Sequence, residues 1–177
     1  MKKLFFVVLF ATISLNALSQ NVMKFLGIPI DGTKKEMISK LEEKGYEYSS
    51  IADALSGEFN GTDVLIKVQT VNNRVWRIAI LDATSNDEAN IKIRFNTLFD
   101  QLSNNGKYDL DDGRKLKDND NIRYDMTIRK KRFDVSFYPK DKSIHGQVWY
   151  TISESYGNYS IAMFYENLDN AANGDDL

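Results

Sequence analysis

Apolar residues recur along this chain with two periods, and the period sorts its segments into helices and strands. Met37, Ile38 and Leu41 fall at helical spacing behind Thr33 and Glu36, the spacing of a capping box, and Gly45 stands where a left-handed C-terminal cap belongs. The spacing predicts a helix over 34–44. Ser85 and Glu88 repeat the capping-box spacing, and Ile91, Phe95, Leu98, Phe99 and Leu102 follow at helical intervals until Asn105-Gly106. A second, longer helix is expected there.

Between the helices the period falls to two. Strands are expected over 54–59, 62–71 and 75–82, with Asn60-Gly61 as a two-residue hairpin turn that puts Leu55 and Phe59 on the same face as Val64, Ile66 and Val68. At the next turn, a three-residue loop from Asn72 to Arg74 is expected, because it brings Trp76, Ile78 and Ile80 onto that same face. After the second helix, YDLDDGRKLKDNDN reads as a polar linker. Four strand patterns follow: Ile122, Tyr124, Met126 and Ile128; then Phe133, Val135 and Phe137 beyond a turn at Lys130-Lys131; then Val148, Tyr150 and Ile152; then Ile161, Met163 and Tyr165 beyond a Gly157-Asn158 turn. The expected fold is α+β: an antiparallel sheet of about seven strands with two helices packed on one face, in the order α-βββ-α-ββββ. A glycine stop followed by a tyrosine closes both helices ("EEKGYEY" and "SNNGKYD"). This is the mark of a weak internal duplication, although helix-then-meander is also a common way to cover one face of a sheet.

The N-terminus changes the picture of where the protein works. Lys2-Lys3, the apolar run 4–15 and the small residues Ala17 and Ser19 form the three parts of a secretory signal peptide, with cleavage expected after Ser19. Residues 1–19 are then a leader, 20–167 a single domain and 168–177 a disordered acidic tail, since LDNAANGDDL is poor in apolar residues. The chain has no cysteine, so neither a disulfide nor a thioether lipid anchor is available. No later segment approaches the roughly 20 apolar residues of a transmembrane helix. A net charge of −2 supplies no general attraction to nucleic acid or anionic membrane. The expected location is periplasmic or secreted.

The stretch "FLGIPIDGTKKEMISKLEEKGYEY" followed by "LSGEFNGTDVLIKVQ" resembles small signal-bearing proteins of Bacteroidota of uncharacterised function. The helix-plus-meander pattern is similar, at the level of fold, to the beta-lactamase-inhibitor-protein-like architecture of secreted inhibitors and envelope assembly proteins. Neither resemblance implies a catalytic residue.

Candidate chemistry is sparse. Gly27 and Gly32 precede a helix start, where an anion can sit, but Thr33 and Glu36 use the free donors and the glycines lack phosphate-loop spacing. His145 is the single histidine and has no nucleophile motif beside it. Asp109, Asp111, Asp112, Asp118 and Asp120 fail the EF-hand pattern at its glycine and its closing glutamate. No cofactor or metal is expected. The Arg129-Lys130-Lys131-Arg132 run places four positive charges at an expected hairpin tip. The outer row of the second meander, which includes Arg123, Asp134, Tyr138, Trp149 and Phe164, sets aromatic rings among charges, as protein and sugar interfaces do. The residues expected to bind are therefore Trp149, Phe164, Tyr138, Arg123, Asp134 and Arg132. The expected function is a non-catalytic extracytoplasmic binding or inhibitor-like module for a protein or glycan, without nucleic acid or membrane insertion. The alternatives are a carboxylate-based hydrolase of an extracellular polymer and a structural envelope protein.

Overall fold

The computed structural model describes residues 21–172, so the expected leader lies outside the described residues. A short hairpin, β1 (Lys24–Phe25) and β2 (Ile28–Pro29), leads into α1 (Lys34–Glu42). A meander follows: β3 (Glu47–Ser49), β4 (Ala54–Phe59), β5 (Thr62–Val71) and β6 (Arg74–Asp82). α2 (Glu88–Ser103) begins the second half, which continues through β7 (Tyr108–Asp112), α3 (Ile122–Thr127), β8 (Asp134–Pro139), β9 (Gly146–Ser155), β10 (Asn158–Asn167) and α4 (Leu168–Ala172). The class is α+β. An antiparallel eight-stranded sheet runs in the order β3-β4-β5-β6-β10-β9-β8-β7, with β1-β2 as a separate ribbon. Each half of the sheet is one meander, and the two meet through their last strands, β6 and β10.

Local chemistry explains the elements. The Thr33–Glu36 capping box is formed on both sides: Thr33 N–H donates to Glu36 Oε2 at 2.9 Å and Glu36 N–H donates to Thr33 Oγ1 at 3.3 Å. Gly45 closes the helix region at φ 96°. Asn60 and Gly61, at φ 52° and 71°, make the two-residue turn that pairs Phe59 with Thr62. Met37 and Leu41 of α1, Ile91, Phe95, Leu98 and Leu102 of α2 and Ile122 of α3 share one core with Ile66, Ile78, Phe137, Tyr150 and Met163 of the sheet. Burying that many large apolar side chains, each stabilising by about 1.5–3 kcal/mol, drives folding in a chain with no disulfide.

The structure departs from the sequence reading at several places. The segment 122–128 is no strand: Asn121 accepts from Tyr124 N–H and starts α3, leaving Tyr124 and Ile128 exposed. Its place beside β8 is taken by β7, drawn from the segment read as a linker, and β3, which the sequence reading lacks, adds the eighth strand beside β4. The charges of 129–132 therefore follow a helix and do not crown a hairpin. Asp125 pairs with Arg129 at 3.2 Å and with Lys131 at 3.5 Å, and Asp134 with Arg132 at 3.1 Å. The β5–β6 turn holds two residues, Asn72 and Asn73 (φ 49° and 63°), and a bulge at Gln69/Thr70 restores the pairing of Val68 with Ile78. Asp87, not Ser85, caps α2, accepting from Asn90 N–H at 2.8 Å, and the last hairpin turns at Tyr156-Gly157. The ordered domain also runs past 167. Asn170 of α4 is 3% exposed and donates to Val75 O at 2.7 Å and to Asp31 Oδ1 at 3.0 Å.

Candidate functional site

Strand alternation leaves a second row of side chains that takes no part in the core, and its centre is the β6–β10–β9 seam. Trp149 and Phe164 lie directly opposite each other on β9 and β10, and their rings stack at 4.1 Å between centroids with 21° between planes. The Arg77 guanidinium sits 3.9 Å from the centroid of Trp76, 5.2 Å from Phe164 and 6.0 Å from Trp149. The β5–β6 bulge explains why Trp76 is there. As the residue without a cross-strand partner, it lies beside Arg77 and not in the row of Ile78 and Ile80.

Below the rings is a buried carboxylate. Glu166, 2% exposed, receives Arg77 Nη2 at 2.6 Å and Trp149 Nε1–H at 2.9 Å, and Gln147 Nε2–H donates to its other oxygen. A buried charge persists only when paired and hydrogen-bonded, and three donors from the two neighbouring strands, Arg77 of β6 and Gln147 and Trp149 of β9, meet that need. Arg77 Nη1 reaches Gln69 Oε1 at 3.4 Å, while its buried Nε has no hydrogen-bond partner. The consequence is mechanical: the guanidinium is locked, and the rings are held in a fixed plane. Trp149 and Phe164 are half-buried, Ala79 and Ala162 beside them are buried, and Leu65 and Tyr138 are exposed on the same face.

Four of the expected binding residues meet on this side of the sheet. Trp149 and Phe164 form the stack; Tyr138 and Asp134 stand on β8, where Ser136 pairs with Trp149. Arg132 joins them only through its ion pair with Asp134. Arg123 does not belong. It sits on α3, on the helix side, near enough to Tyr159 to act on its hydroxyl. Sequence reasoning missed Trp76, Arg77, Gln69, Gln147 and Glu166. The available sign was a charged residue at an inner position of two long strands, Arg77 in β6 and Glu166 in β10.

Other candidate groups are committed to structure. Asp120 accepts both Arg114 guanidinium N–H groups, at 2.8 and 2.9 Å, and this hydrogen bonding holds its carboxyl well below the usual carboxylate range despite partial burial. Asp111 accepts from Ser136 and Asp112 from Gly113 N–H. His145 lies 3.1 Å from Asp169 in an exposed pair. Among the described residues, no group of three or more His, Cys, Asp and Glu side chains converges to hold a metal, and no helix is long and apolar enough to cross a membrane. On the helix side, a cleft of about 660 Å3 opens between the β1–β2 turn, the α2–β7 turn and the β8–β9 loop. Among the described residues that line it, Asp141 is the one carboxylate. Compared with protein-family models, curated proteins and solved structures, the chain matches none.

Proposed function

We propose that the protein is a non-catalytic extracytoplasmic binding or inhibitor-like module that holds a protein or glycan against the sheet face carrying Trp149 and Phe164. The observation that carries this reading is the stacked Trp149–Phe164 pair, braced by Arg77 over a buried Glu166 and flanked by exposed Tyr138 and Leu65. Interfaces draw their binding energy from rigid aromatic and arginine anchors, because such groups give large contact area for little lost rotamer freedom. Sugars also stack on fixed ring planes.

In this reading the chain is exported and the leader leaves after Ser19. The helices cover one side of the sheet and leave the other for the partner. The repeated plan of a helix followed by a four-stranded meander supports an internal duplication. The sequence resemblance to secreted Bacteroidota proteins and to beta-lactamase-inhibitor-protein-like domains points the same way.

The test is capture from envelope extract and culture medium, run beside a glycan array, with the wild type, Tyr138→Ala and Trp149→Ala. Tyr138 is 39% exposed, so its loss should leave stability within about 0.5 kcal/mol while weakening the partner. Trp149→Ala should weaken it at least tenfold, roughly the 1.4 kcal/mol or more expected of an interface anchor. Equal capture by all three proteins, with the variants folded, would remove the sheet face as the site.

A further inference from the structure

The cleft on the helix side has charge and hydroxyl groups that the fold does not use. Lys107 and Lys140 are cross-strand neighbours one step beyond the Tyr108–Pro139 pair, joined by the Lys140 N–H to Lys107 O bond at 2.9 Å. Like charges directly opposite each other destabilise a sheet. Among the described residues, the ion pair that relieves it is with Asp109, 3.8 Å from Lys140. Lys24, from the N-terminal ribbon, lines the same cleft, and among the described residues neither Lys24 nor Lys107 has an ion-pair partner. The opposing charges are limited. Asp141 is hydrogen-bonded twice by Ser143, and the C-terminus of α2 adds about half a negative charge.

The floor is aromatic and polar together. Tyr165 packs on Phe25 at 5.1 Å, and burial pushes the Tyr165 and Tyr108 phenols up, so both remain neutral donors. Among the described residues neither hydroxyl makes a hydrogen bond. At the lip, Leu26 is 38% exposed and held at φ 51°, a left-handed conformation that costs a non-glycine residue free energy. Repulsion, unspent hydroxyls and backbone strain thus coincide at one opening. Such local conflicts mark places kept for something other than stability.

We propose that this cleft is a second binding site, separate from the sheet face, for a small organic anion of the sugar-phosphate or sugar-carboxylate class. Lys24, Lys107 and Lys140 hold the anionic oxygens, and Tyr108 and Tyr165 take the hydroxylated ring. A volume of about 660 Å3 suits a ligand of that size. The site does not depend on the proposed partner of Trp149, which binds on the other side of the sheet.

Calorimetric titration of the purified protein with glucose 6-phosphate, glucuronate, inorganic phosphate and glucose tests the assignment and separates phosphate from carboxylate recognition. Saturable binding is expected for glucose 6-phosphate or glucuronate, weakened by salt and absent for glucose. Lys24→Ala and Lys107→Ala should each weaken it about tenfold, the size of one lost charge-assisted hydrogen bond. Tyr165→Phe should weaken binding of the sugar anion and leave inorganic phosphate unchanged. Lys107→Ala should also melt no lower than the wild type, since it removes a like-charge contact. The proposal is overturned if neither sugar anion binds, if the lysine variants bind as the wild type does, or if inorganic phosphate binds as tightly as the better sugar anion. A lower melting temperature for Lys107→Ala would equally overturn it, by giving the lysine a structural role.

Discussion

Arg77 and Glu166 meet at 2.6 Å across the β6–β10 seam, the line along which the two meanders join. The carboxylate is 2% exposed and the arginine side chain 24%, so the pair is buried on one side and capped by rings on the other. Removing one member leaves the other without its counter-charge in a poorly hydrated place. Arg77→Met or Glu166→Leu should each cost about 3 kcal/mol, the lower end for a buried pair because Arg77 keeps some water. The double replacement should cost clearly less than the sum. Urea unfolding of the three variants measures this, and simple additivity would mean that the pair is not coupled.

Asp31 ties the loop before α1 to β6 and α4. Its burial raises the carboxyl pKa, but hydrogen bonds from Asn170, the Gly32 N–H and Arg74 outweigh it and hold the group below its ordinary 3.8. A group depressed in the folded state stabilises above its unfolded pKa and loses that contribution as pH falls through the folded value. The stability gap between wild type and Asp31→Asn should therefore be constant near neutrality and close below about pH 4. Thermal melts across the acid range decide it; a gap that widens in acid would contradict the network.

Asn170 is the last buried polar side chain in the described chain and donates to Val75 O and Asp31. Asn170→Ala leaves a buried carbonyl without its partner and should cost about 1–3 kcal/mol. A chain truncated after residue 167 should lose at least as much. Full stability in the truncated chain would show that α4 does not anchor the fold.

Gly113 lies against β8 where β7 ends. Its φ is 101°, and a Cβ there would stand 2.6 Å from the Asp134 carbonyl oxygen. Gly113→Ala should cost about 1–3 kcal/mol, through both conformation and overlap. The damage should be local: faster hydrogen exchange over 108–112, with α2 and β9 protected as before.

The sequence was most legible where a few adjacent residues carry the whole physical cause. The Thr33–Glu36 capping box and the Asn60-Gly61 turn are local hydrogen-bond and dihedral requirements, and they stand in the structure as the sequence implies. Strand parity likewise put Trp149 and Phe164 on one face and Val148, Tyr150, Ile161 and Met163 on the other, because a two-residue period needs no knowledge of neighbours. Alternation failed at 122–128. Four apolar residues two apart over a short run suit a strand, but the Asn121 cap and the inward packing of Ile122 and Met126, one turn apart, favour a turn and a half of helix. It failed again at 108–112, since an edge strand with most of its side chains in water can be nearly as acidic as a linker.

By itself, then, the sequence determined the α+β class, the main helices and hairpins, and the ring pair at the centre of the candidate site. Tertiary structure alone decided which strands are neighbours. β6 and β10 are distant in sequence, and nothing local tells Arg77 that its partner is Glu166 or brings Lys24 to the cleft of Lys107 and Lys140. Those pairings follow from burying two apolar meander faces in one core. The polar residues that ride on the strands are carried to their partners by that packing.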